Sequence, residues 1–203
     1  MTDPRARAAA NNAAWCDAVC RAAGLAPEAD DGLWWSSART PPGYPDAITL
    51  RPGIDAATLL ARMDGSPGAS VKDSFADLDL VTHGYTVLFD ATWIGHPGST
   101  RDPVRRWEPG RLDAATGTGE DVRVLETTDG VAGRVAFNLS AAEIGVSNVA
   151  VDDGDPADLW RDLPGLAHQS FGALPLVGYE IDPTAALAAG FSPIGPLRVW
   201  LRG

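Results

Sequence analysis

Lysine is almost absent from this 203-residue chain: fifteen of its sixteen cationic side chains are arginine, and Lys72 is the only lysine. If a lysine amine does any chemistry here, it is that of Lys72. The arginine bias accompanies abundant Ala, Gly, Pro and Asp and points to genome base composition. The three histidines, His83, His96 and His168, are scattered. The two cysteines, Cys16 and Cys20, stand one helical turn apart, with no further His or Cys at a spacing that would complete a zinc site. They read as small buried apolar residues rather than a disulfide. No apolar run approaches the roughly 18 residues needed to span a bilayer. Met1 to Ala14 lacks the apolar segment of a secretory signal, so a cytoplasmic protein is expected. The net charge is -11 without a basic patch, which opposes binding to phosphate-rich partners. Neither a nucleic-acid nor a membrane partner is expected. No Gly-x-Ser-x-Gly elbow, Walker loop or Rossmann fingerprint occurs. Internal repeats are absent too.

What is present is an ordinary globular balance, 45% hydrophobic and 21% charged, over about one domain's length. Asn11 or Asn12 is read as the cap of a helix running to about Ala23 with Trp15, Cys16, Val19 and Cys20 on its apolar stripe; residues 1–10 are read as frayed. Residues 26–46 form an irregular aromatic segment. Trp34 and Trp35 there are candidates to line a substrate cleft or to cover the core edge. A short strand follows at Ala47 to Leu50, then a helix capped by Asp55. Ser70 to Asp77 is ambiguous between loop and helix, and holds the candidate substrate contact Lys72. Tyr85 to Ile94 alternates as a strand. His96 to Gly119 reads as a linker, with a weak helix around Pro109 to Ala115. Val122 to Glu126, Val131 to Leu139 and Glu143 to Val151 read as a three-strand meander, turned at Thr128-Asp129-Gly130 and Ser140 to Ala142. Pro156 opens a helix expected to bend or break at Pro164-Gly165. A strand at Leu174 to Tyr179, a short helix after Asp182-Pro183 and a last strand at Leu197 to Leu201 complete the chain.

This order over the last eighty or so residues resembles the core of the GCN5-related N-acetyltransferase (GNAT) superfamily. The likeness rests on the passage from Glu143–Val151 into the helix at Pro156, on the apolar strand Leu174 to Glu180, and on Ala189-Gly190-Phe191 before the final strand. It implies an α/β (α+β) fold with a mixed, mainly antiparallel central sheet flanked by helices. The chain is expected as a single domain: 1–46 carries the first helix and the aromatic segment, 47–119 a variable half, and 120–203 the core. The resemblance further implies acetyl-CoA, or another acyl-CoA, as cofactor, lying where two neighbouring strands splay apart. Its pantetheine arm would pair with the backbone of Asn148, Val149, Ala150 and Val151. Its pyrophosphate would rest on the loop at Gly154, with Arg161 the one nearby cation. The acceptor would be a small-molecule or protein amine, attacking the thioester directly, and a homodimer is an allowed assembly. A GNAT-like module that senses a ligand or binds a partner without catalysis is the competing reading.

Two departures from the family stand out. The loop reads Asp153-Gly154-Asp155-Pro156-Ala157-Asp158, with acids where an anion would bind and a proline lacking an N–H donor. Two like charges about 4 Å apart repel by roughly 4 kcal/mol at an effective dielectric near 20. The tyrosine that many members place before Gly-Phe is Ala186 here. Tyr179 is the candidate substitute as acid, and Glu180, ending the same strand, the candidate base. Ser147 and Asn148 interrupt an otherwise apolar strand. Alternation puts one of them on a wet face but does not comfortably account for both, so Ser147 becomes a candidate substrate contact.

Overall fold

The computed structural model describes residues 3–111, 121–140 and 142–203. Along the chain come α1 (Pro4–Ala22), β1 (Glu28–Ala29), β2 (Leu33–Trp35), β3 (Ala47–Thr49), α2 (Ala56–Leu60), β4 (Ser70–Asp73), a 3-10 turn at Val81–His83 and β5 (Tyr85–His96). Then follow β6 (Glu108–Pro109), β7 (Val122–Thr127), β8 (Ala132–Ser140), β9 (Glu143–Asp153), α3 (Pro156–Phe171), β10 (Leu176–Glu180), α4 (Thr184–Ala188) and β11 (Ser192–Arg202). The fold is α/β with a mixed, mainly antiparallel sheet and flanking helices. The chain divides into two compact units, residues 1–92 with 195–203, and residues 93–194.

In the first unit, β1 pairs antiparallel with β2, β2 with β3, and β4 with β11, while β3 and β4 run parallel. Helix α1 starts a full two turns before the expected cap at Asn11 or Asn12. The reason is Asp3, whose carboxylate accepts the Arg5 N–H at 2.9 Å, followed by proline at the first helical position. Asn11 and Asn12 are instead buried inside the helix, and Trp15, Cys16, Val19 and Cys20 are buried as their spacing requires. Both thiols are free; burial pushes Cys16 up to about 11 and Cys20 up to about 12. Residues 26–46 are less irregular than their composition suggests, since they supply β1 and β2. Ser70 to Asp77 settles as strand β4 and a tight turn. The Asp73 carboxylate gathers that turn, accepting the Phe75 N–H at 3.3 Å and the Leu78 N–H at 2.9 Å, with Ala76 at φ 54°.

The second unit holds the meander. Antiparallel pairs β6/β7, β7/β8 and β8/β9 are followed by the parallel pair β9/β10. Helix α3 covers one face of this sheet, burying Leu159, Trp160, Leu163 and Leu166 against Val135, Phe137, Ile144, Val146 and Leu176. Burying each such side chain contributes about 1.5–3 kcal/mol. Asp155 caps α3, and the helix continues through Pro164 to Phe171 without the break that Pro164-Gly165 could impose. Gly165 lets the segment at Arg101–Pro103 approach closely, because a Cβ would stand 2.3 Å from the Arg101 carbonyl oxygen. Buried Asp162 anchors the next stretch by accepting the Val104 and Arg105 N–H groups at 3.0 and 3.1 Å. The weak helix expected around Pro109 to Ala115 lies, from residue 112 onward, outside the described residues, as does part of the Ser140 to Ala142 turn.

Candidate functional site

Two parallel strands begin side by side and then part. Leu176 pairs with Ile144 and Val177 with Gly145, and the Ile144 N–H donates to the Pro175 carbonyl at 2.9 Å. Contact persists one step further, since a Cβ on Gly178 would meet the Val146 carbonyl oxygen at 2.8 Å. Past Val177 and Gly145 no pairing joins the two strands among the described residues, although β9 continues to Asp153 and β10 to Glu180. The backbone of β9 from Ser147 onward is paired on one side, to β8, and turns its other edge to the place where β10 departs.

A bulge marks the point of departure. On β8 the register steps from Arg134 to Ala136, while on β9 it steps from Ala150 to Ser147, so β9 carries one extra residue. That residue is Asn148, at φ 53°, in the left-handed region that asparagine tolerates better than most residues. The bulge shifts the side-chain alternation. Ile144 and Val146 face the core before it, and Val149 and Val151 face the same core after it. The polar pair Ser147-Asn148 therefore belongs to the bulge, which is why simple alternation does not account for both. Asparagine in a bulged strand was the available signal. Substituting valine at 148 is expected to cost about 1–2 kcal/mol through the left-handed backbone, whereas glycine is tolerated; urea unfolding of the two variants checks this.

At the end of β10, neighbouring residues point to opposite faces. The Tyr179 ring packs edge-on against Trp93, with centroids 5.5 Å apart and planes at 79°. Glu180 shares the Leu176 and Gly178 side, the side that α3 and α4 cover. Its pKa is pushed up to about 7, first by burial and then by Asp182 nearby. Such a carboxyl is poised to take a proton near neutrality. Ala186, at the position compared with a family tyrosine, is fully buried in the core and has no proton to give. His96 is a residue that the sequence did not single out. Its Nδ1 accepts the Gly98 N–H at 3.0 Å, its ring lies on Phe191 with centroids 5.1 Å apart, and burial lowers its pKa. The neighbours Trp93 with Tyr179, Gly95 with Leu176 and Gly98 with Leu174 show β5 running antiparallel to β10. His96 thus sits at the start of β10, away from Glu180.

The joint between β9 and α3 is the place that the resemblance assigns to a pyrophosphate. Gly154 makes the turn at φ 97°, and a Cβ there would meet Val131 at 2.9 Å. The α3 N-terminus is already capped from within: the Ala157 N–H donates to Asp155 Oδ1 at 2.9 Å and the Asp158 N–H to the Asp155 carbonyl at 3.0 Å. Pro156 has no N–H. Asp152, Asp153 and Asp155 are exposed around it. Arg161, the expected counter-charge, is ion-paired with Asp158, and Arg105 pairs with Asp158 at 3.0 Å and Asp162 at 3.4 Å. The parted strands fit an amide-bearing arm such as that of pantetheine. The acidic, self-capped helix start does not fit a diphosphate.

Three sequence candidates belong to the other unit. Lys72 is 3% exposed and donates from Nζ to Asn12 Oδ1 at 2.7 Å. Trp34 is buried and donates from its indole N–H to Asp17 at 3.3 Å. Trp35 is half-buried, with the Arg62 guanidinium 4.6 Å above its ring. Ser147, Asn148 to Val151, Gly154, Arg161, Tyr179 and Glu180 all fall in the unit of residues 93–194.

No protein-family model matches the chain, and no curated protein matches it. Among solved structures it is similar to a functionally unknown conserved protein from Staphylococcus epidermidis ATCC 12228, at 10% identity and a TM-score of 0.55, covering 88% of this chain and 94% of that one. It also aligns with a GCN5-related N-acetyltransferase from Sphaerobacter thermophilus at 12% identity and a TM-score of 0.46, covering 97% and 92% of the two chains. A tandem GNAT protein from the clavulanic acid biosynthesis pathway aligns at 13% identity and a TM-score of 0.45, covering 96% and 92%. The first likeness is one of fold, which does not decide chemistry.

Proposed function

We propose that the unit of residues 93–194 is an N-acyltransferase that takes a thioester acyl donor between β9 and β10 and an amine acceptor beside Glu180. The observation that carries this reading is the parting of the two strands after Gly145 and Val177, with the Asn148 bulge at the fork. An unpaired strand edge offers alternating N–H and C=O groups to an amide-bearing arm. Ser147 to Val151 is about 16 Å of such edge, at roughly 3.3 Å per residue. Glu180, with its pKa raised to about 7, would take the proton that the amine loses as it bonds to the acyl carbon, while the C–S bond breaks and the departing thiolate takes its proton from water. Holding donor and acceptor together supplies the rest.

A specific observation favours a second reading, a module of the same fold that binds a ligand without turnover. Buried Ala186 supplies no acid, and the start of α3 is closed by its own cap. One experiment separates the two. Hydrogen exchange is followed with millimolar S-acetylpantetheine or acetyl-CoA, and free thiol is titrated with an amine mixture present. The acyltransferase reading expects slowed exchange at Val149 to Val151 together with thiol release above the hydrolytic background. Slowed exchange without release selects the binding module. Unchanged exchange with both compounds removes the reading of the fork as an acyl-donor site.

A further inference from the structure

We infer that the donor accepted at the fork is a short acylated pantetheine-type thiol that ends before any diphosphate, so that the nucleotide half of coenzyme A adds no affinity. This rests on the reading of the β9/β10 fork as the acyl-donor site.

The two ends of the β9 edge carry opposite instructions. Along β9 the backbone from Ser147 to Val151 bears no charge, and Val149, Ala150 and Val151 are half-buried, which suits a neutral chain of amides and methylenes. At the end of β9 the character reverses within three residues. Asp152, Asp153 and Asp155 follow one another around Gly154, and Asp158 stands in the first turn of α3. A helix start ordinarily holds phosphate through unpaired N–H groups and a partial positive charge. Here the Asp155 carboxylate takes the Ala157 N–H, the Asp155 carbonyl takes the Asp158 N–H, and Pro156 contributes none. A carboxylate thus already sits where the first phosphate would. Of the nearby cations, Arg161 is paired with Asp158 and Arg105 with Asp158 and buried Asp162, while Arg134, opposite Ala150, alternates with core-facing Val135 and so lies on the face away from α3. Freeing Arg161 would leave Asp158 to Arg105 alone, and freeing Arg105 would strip Asp162 of its counter-charge. The Asp162 carboxylate is buried and also accepts the Val104 N–H, the Arg105 N–H and the Trp107 indole N–H at 3.0, 3.1 and 3.3 Å. A neutral arm can therefore pair with the β9 edge, and each added phosphate meets repulsion that increases as salt is lowered.

Titration calorimetry on the full chain tests this with S-acetylpantetheine, S-acetyl-4′-phosphopantetheine and acetyl-CoA, at low and at near-physiological salt. The expected result is that S-acetylpantetheine binds at least as tightly as acetyl-CoA. The gap should widen tenfold or more in favour of the neutral compound at low salt. The monophosphate arm tells a free pantetheine thioester from one presented on a phosphate-bearing carrier: binding within threefold of the neutral compound admits the carrier, and weaker binding assigns the free thioester. Acetyl-CoA binding more than threefold tighter than S-acetylpantetheine overturns the inference alone and leaves the donor site standing. Failure of all three to bind at millimolar concentration removes the donor site, and the inference with it.

Discussion

Replacing Glu180 by glutamine is expected to slow amine acylation at least about a hundredfold while donor affinity stays within twofold. Removing a positioned general base typically costs 10²–10⁴ in rate, and glutamine preserves the shape of the side chain. The pH profile carries a second signature. Burial raises the Glu180 pKa from 4.5 to about 7, so the wild-type rate should climb with pH and level off above about 7. The variant should lack that limb. Stability runs the other way. A carboxyl whose pKa is raised in the folded state supports the fold fully below its unfolded pKa, and that support is lost as pH rises through about 7. Glu180→Gln should therefore be no less stable than wild type at pH 8, which separates lost chemistry from lost folding. An equal loss of rate and donor affinity would instead mark Glu180 as a structural residue.

Gly133→Ala should lower the melting temperature more than any surface change. A Cβ at 133 would stand 2.3 Å from Leu159 Cδ1 and 2.6 Å from the Ala150 carbonyl oxygen. The first contact can yield by rotation of Leu159, although that leucine is fully buried. The second is backbone of β9, so α3 or the β8/β9 pair must give way. Overpacking of this kind costs about 1–3 kcal/mol, occasionally more, and a chain of this length loses roughly 2–4 °C per kcal/mol. Thermal unfolding followed by circular dichroism reads the shift. A change under about 1 °C would show that the helix and sheet are not pressed together at this point.

The two elements that carry these predictions were unequally visible in the sequence. The β7–β8–β9 meander and α3 stood out because their turns and cap are written in local chemistry: Thr128-Asp129-Gly130 between strands, and Asp155-Pro156 before the helix. The same Asp-Pro logic at Asp3-Pro4 starts α1, yet the alanine-rich stretch after it carried no stripe to announce a helix. Strand β4 was hidden for another reason. Val71, Lys72 and Asp73 are buried in succession, so the period of two never appears. The bulge left one trace, a polar pair inside an apolar strand, without saying which residue was extra. That β9 and β10 are parallel neighbours which then part is a long-range fact, set by how α3 returns the chain to the sheet. The committed state of Arg161 also needed coordinates, since the sequence shows the arginine and the acids but not which are joined.

The burial of Lys72 has a consequence outside catalysis. It is the chain's single lysine, 3% exposed and tied through its ammonium to Asn12. Reactive metabolites that acylate or glycate side-chain amines, and enzymes that mark lysine for turnover, find no such handle on the folded surface. A tag found on residue 72 would date from a moment when the chain lay open, so this one amine keeps a record of unfolding.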